Sequence, residues 1–77
     1  MGSMVVRVRG VVQDVGFRWA TRQQLADLGL RGAAENFPDG SVRIEAVGEP
    51  HELEALLRWL RGPSTPGRVH SVEVVED

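Results

Sequence analysis

The chain has 77 residues, 42% of them hydrophobic, which is enough for one compact domain with a small core and excludes a second. It contains no cysteine, so disulfides, thiolate metal sites and a thiol nucleophile are excluded as well. A net charge of −2 and a pI near 5.6 supply no basic field for nucleic acid, although every cation is an arginine. No apolar run approaches the length of a membrane span and no charged-then-apolar segment opens the chain, so a cytoplasmic protein without a membrane partner is expected.

Met1, Gly2 and Ser3, ahead of Met4, read as an expression remnant and are set aside, leaving one domain over residues 4–77. From Met4 to Val12 the β-branched residues alternate, with Val6 and Val8 on one face and Arg7 and Arg9 on the other, which predicts a half-buried strand. From Phe17 to Leu28 the period changes to that of a helix: Phe17, Ala20, Thr21, Leu25 and Leu28 share a side, and Gly29 follows as a left-handed cap. Over Arg31 to Phe37 the run Ala33, Ala34, Glu35 leans towards helix by propensity. Yet Pro38, Asp39 and Gly40 form a strong turn signal, and Ser41 to Val47 alternates with Val42, Ile44 and Ala46 inward, so a hairpin is expected to override that preference.

Gly48, Glu49 and Pro50 open a second helix with Leu53, Leu56, Leu57 and Leu60 as its apolar stripe, and Gly62 and Pro63 end it. Arg68 to Val75 alternates again, with Val72 and Val74 on one face. The order β-α-β-β-α-β is that of the α+β, ferredoxin-like split βαβ sandwich: a four-stranded antiparallel sheet with both helices on one face. An RNA-binding module on the same plan would need stacking aromatics on its central strands, and these are lacking here.

The segment from Val11 to Arg18 joins a strand to a helix. The first amides of such a helix lack intrachain partners and, with the helix dipole, attract an anion. Gly16 lets consecutive amides converge, and Arg18 in the first turn adds a planar fork for phosphate oxygens. By spacing alone the same two residues also fit a plain turn and a solvated surface charge. Asn36, just before the Phe37–Gly40 turn, likewise reads by itself as a turn residue. Trp19 and Trp59 lie off their helical stripes and suit partly exposed packing. His51 and His70 are too isolated to ligate a metal, and Glu45, Glu49 and Glu52 read as solvated.

The whole string resembles the acylphosphatase family, whose signatures are a Gly-x-Val-Gln-Gly-Val-Gly-Phe-Arg loop and a Gly-aromatic-x-x-Asn-x-x-x-Gly-x-Val strand and turn. Gly10, Val12, Gln13, Val15, Gly16, Phe17 and Arg18 match the first, and Gly32, Asn36, Gly40, Val42 and Gly48 the second and its continuation. The resemblance implies hydrolysis of an acyl phosphate to a carboxylate and inorganic phosphate, with no metal, cofactor or covalent intermediate. It implies that Arg18 and the amides of Asp14, Val15, Gly16, Phe17 and Arg18 bind the phosphoryl group, and that Asn36 orients the attacking water. Positioning and charge stabilisation suffice for this chemistry because a carboxylate is already a good leaving group.

Three departures accompany the match. Asp14 stands where the family has glycine. Ala33 replaces its aromatic, with Glu35 adding negative charge near the site and packing lost. The chain also stops before the family's final edge strand, which would leave the second strand an open edge able to pair with another copy, although a monomer is expected. The competing reading is a weakly active or non-catalytic module that binds acyl or carbamoyl phosphate, similar to the acylphosphatase-like domain of hydrogenase maturation proteins.

Overall fold

The computed structural model describes residues 1–13 and 16–76. The elements run β1 (Gly2–Val11), α1 (Phe17–Leu28), β2 (Arg31–Asn36), β3 (Val42–Gly48), α2 (Pro50–Arg61) and β4 (Arg68–Glu76). The strands form one antiparallel sheet in the order β2-β3-β1-β4. Register explains the two faces. Ala34 lies opposite Ile44, and Ile44 opposite Val6, and all three are buried with Phe17, Leu25, Leu56 and Leu60 beneath the helices. One residue along, Glu35, Arg43, Arg7 and Glu73 pair across the sheet on the opposite, uncovered face. Shifting any one strand by a residue would exchange these sets, so the burial of Val6, Ile44 and Ala34 fixes the register.

Propensity loses to pairing in β2, where Ala33, Ala34 and Glu35 face Glu45, Ile44 and Arg43 of β3 instead of coiling. The expected remnant does not stand outside the fold: Gly2 and Ser3 continue β1 opposite Gly48 and Val47, because the length of a strand is set by its partner as well as by its own pattern. At the far end of the same strand, Gly10 has φ 138° at a register shift against β4, and a Cβ there would lie 2.0 Å from the Arg68 carbonyl oxygen. Glycine is therefore required for the bulge that ends β1 and turns the chain towards α1.

Val72 and Val74 share one face as expected, opposite Val8 and Val6 of β1; Val72 packs against the core while Val74 remains 38% exposed, since β4 is an edge strand with a neighbour on one side only. Glu52 is not merely solvated, because its Oε1 accepts the Glu49 N–H at 2.8 Å and so closes the start of α2. The helices meet where Phe17 stacks on Trp59, centroids 6.4 Å apart. Among the described residues no helix is long and apolar enough to cross a membrane.

Candidate active site

α1 begins without the usual neutralising groups. Its N-cap, Gly16, has φ 79° and ψ 10°, makes no side-chain capping bond, and no acidic residue follows in the first turn. The first intrahelical bond runs from the Ala20 N–H to the Gly16 carbonyl at 3.0 Å, so the amides of Phe17, Arg18 and Trp19 have no helical acceptor. A left-handed N-cap suits glycine, and the dipole concentrates positive potential where these N–H groups point. Arg18 is exposed on this turn and makes no ion pair or hydrogen bond among the described residues. Of the other expected phosphate-binding residues, Gly16 and Phe17 are at this terminus, and Asp14 and Val15 lie outside the described residues.

Asn36 reaches the same end of the molecule by a separate route. Arg22 donates from Nη2 to the Ala34 carbonyl at 3.3 Å, which docks α1 on β2. From that contact Arg18 is four residues back along α1, a rise of about 6 Å, and Asn36 is two residues on along β2, about 6.7 Å. The helix descends as the strand ascends, so both steps lead the same way, towards one end of the α1–β2 pair. Asn36 shares the helix-facing side of β2 with Ala34 but, at the end of the strand, is exposed.

Gln13 fixes the alignment. Its Nε2 donates to the carbonyls of Phe37 at 3.0 Å and Ser41 at 2.9 Å, tying the loop that precedes α1 to the turn that follows Asn36. That turn is itself closed: the Phe37 N–H donates to the Ser41 carbonyl at 2.8 Å, and Asp39 accepts from the Ser41 N–H at 2.9 Å and hydroxyl at 2.6 Å. The Arg7 guanidinium sits 4.2 Å above the Phe37 ring and 3.6 Å from the Asp39 carboxylate. The Ser41 hydroxyl foremost, then its amide and the nearby arginines, hold the Asp39 carboxyl below its ordinary value of 3.8.

Gln13 was visible in the sequence only as a motif residue without a role, and nothing in the sequence singled out Arg22. Glu35, expected to bring negative charge to the site, projects from the other face of β2 and lies 3.9 Å from Arg43, because neighbouring strand residues alternate. Ala33 shares that uncovered face, so the missing aromatic empties a shallow depression there and takes nothing from the core.

A cleft of about 180 Å³ at the α1 terminus is lined by Val12, Gly16, Phe17, Arg18, Trp19 and Arg22. A larger one, about 420 Å³, lies at the β4 edge beside the C-terminal end of α2. A helix C-terminus offers carbonyl oxygens and the negative end of the dipole, so of the two the smaller cleft is the one whose field suits an anion. No group of three or more metal-ligating side chains comes together among the described residues.

The fold is a small α/β sandwich, and its α1 cleft is lined by two arginines and the uncapped start of a helix, a setting whose charge suits an anion. The family model for acylphosphatase matches residues 4–77. An acylphosphatase of Streptomyces coelicolor is 49% identical over 75 residues, covering 96% of this chain and 81% of the relative. The crystal structure of acylphosphatase from Bacillus subtilis superposes with a TM-score of 0.86 at 28% identity, over 97% of this chain and 83% of that one. Full-length HypF, in its phosphate- and nucleotide-bound form, matches 99% of this chain with 10% of its own, at a TM-score of 0.84 and 25% identity. The chain belongs to the acylphosphatase family.

Proposed function

We propose that the protein hydrolyses acyl phosphates to a carboxylate and inorganic phosphate in the cleft at the α1 N-terminus, with Asn36 approaching from the end of β2. The observation that carries this reading is the bridge from Gln13 to Phe37 and Ser41, which holds the turn after Asn36 against the loop before Arg18. In this mechanism Arg18 and the amides of residues 14–18 hold the phosphoryl oxygens, and their partial charges remain matched as negative charge redistributes over those oxygens. Asn36 positions a water opposite the leaving group. The water oxygen bonds to phosphorus, the bond from phosphorus to the acyl oxygen breaks, the acyl group departs as carboxylate, and the proton of the water leaves on the product phosphate or to solvent.

Release of phosphate from acetyl phosphate, followed in the presence of a metal chelator, tests the reading. Turnover above the spontaneous rate, inhibited competitively by phosphate, supports it. The match to a tenth of the HypF chain favours a second reading, a module that binds the phosphoryl group without turning it over. Phosphate binding with no release above background would select that alternative. In either case the ligand is a small molecule, and the protein acts as a cytoplasmic monomer without nucleic acid or membrane.

A further inference from the structure

One phosphoryl group is served by one guanidinium and a set of amides, yet the cleft holds two guanidiniums. Arg18 and Arg22 line it together, one turn apart on α1, where neighbouring Cβ atoms are about 5–6 Å from each other. Neither is paired with a carboxylate among the described residues. Like charges at this spacing oppose each other, and cations near a helix N-terminus oppose the dipole, so the pair lowers the stability of α1 twice over unless an anion joins it. Arg22 has given one N–H to the Ala34 carbonyl, which steers its side chain across to β2 and leaves the other donors of its fork uncommitted to the protein among the described residues.

We infer that Arg22 forms a second anion subsite, which takes the far carboxylate of an acyl phosphate made from a dicarboxylic acid while Arg18 takes the phosphoryl group. This rests on the acyl phosphate reading above. A carboxylate matches the guanidinium fork with two parallel hydrogen bonds. The small volume of the cleft suits a short chain of succinyl size better than a second phosphoryl group. Trp19, 68% exposed, forms another wall of the cleft and offers its ring to the intervening methylenes.

The test compares two stable phosphonates by calorimetry, 4-phosphonobutyrate with its terminal carboxylate and butylphosphonate without one. The wild-type protein is expected to prefer the first by about five- to tenfold, the range of an exposed but bidentate ion pair, with the preference shrinking at high salt. In Arg22→Gln the preference should fall to within about twofold, and Arg22→Lys should retain part of it. The ratio of kcat/KM for succinyl over butyryl phosphate should move in parallel. Equal wild-type affinities, or a preference that survives Arg22→Gln, would overturn the subsite. Acetyl phosphate turnover is read separately: its absence with the phosphonate preference intact overturns hydrolysis and upholds the subsite, and turnover without the preference does the reverse.

Discussion

The two helices have the same length and opposite termini. α2 has charge and capping matched to its dipole: Pro50 in its first turn, Glu52 bonded back to the Glu49 amide, and Arg58 and Arg61 in its last turn. α1 has a left-handed glycine cap, no acidic residue in its first turn, no basic residue in its last, and Arg18 at the end where a cation is least favourable. A missing side-chain cap costs about 1 kcal/mol and a misplaced charge about 0.3–1 kcal/mol. Both helices bury an apolar face against the same sheet, so fold does not demand the contrast. An anion would: the amides and positive field that capping would neutralise in α1 are what it needs.

The sharpest way to break this comparison is Arg18→Ala. The variant should lose about 10²–10³-fold or more in kcat/KM for acetyl phosphate, while its Tm stays constant or rises by about 1–4 °C as the dipole is relieved. Parallel losses of activity and Tm would make Arg18 a structural residue and remove the contrast. Asn36→Ala comes next: kcat should fall about 10²-fold with phosphate inhibition little changed, since a group that orients water acts in the transition state. A weakened phosphate Ki at constant kcat would move Asn36 into the anion site instead.

Gln13→Ala removes the donors to the Phe37 and Ser41 carbonyls. It should destabilise the protein by about 1–2 kcal/mol in urea unfolding and lower kcat about tenfold, as the Asn36 turn drifts from the loop. Glu52→Ala is the control on the other helix, expected to lower stability by about 0.5–1 kcal/mol and leave kcat/KM as it was.

The smallest effect concerns Asp39 and acid. Its carboxyl is held below 3.8 in the folded protein, so it contributes stability above that value and loses the contribution as pH falls through its lower folded pKa. Stability curves of the wild type and Asp39→Asn should therefore be separated at neutral pH and converge below about pH 3.8. A gap that persists unchanged into acid would assign the role of Asp39 to shape, since Asn keeps the acceptor oxygen.

Much of this was legible in the sequence because it is local. The periodicity from Phe17 to Leu28 bounded α1 at both ends, and the alternation of Val42, Ile44 and Ala46 gave the inner face of β3. Arg18 and Asn36 stood out only through a two-part motif; that both point to one end of the molecule depends on α1 running against β2, which no single segment states. Gln13 acts across 24 and 28 positions and Arg22 across 12, so their roles are properties of the packed chain. Glu35 was misjudged for a related reason, because nearness in sequence to Asn36 says nothing of the side of the strand. β1 reached back to Gly2 because β3 offered Gly48 and Val47 as partners, a fact written in another strand.

The central place of β1 bears on how quickly the molecule assembles. The strand that precedes α1 is hydrogen-bonded on one side to β3 and on the other to β4, and the Arg9–Glu73 pair that spans the second junction joins residues 64 positions apart. Chains dominated by such distant pairings fold slowly, in roughly the millisecond-to-second range, since loop closure must precede the contacts that compensate for it. During synthesis the loop and Arg18 emerge early, yet β1 cannot acquire its second neighbour until β4 has left the ribosome. A nascent chain halted before Arg68 would carry every residue assigned to the site without the sheet that aligns them, and refolding in phosphate should speed recovery of activity only if the site forms by the rate-limiting transition state.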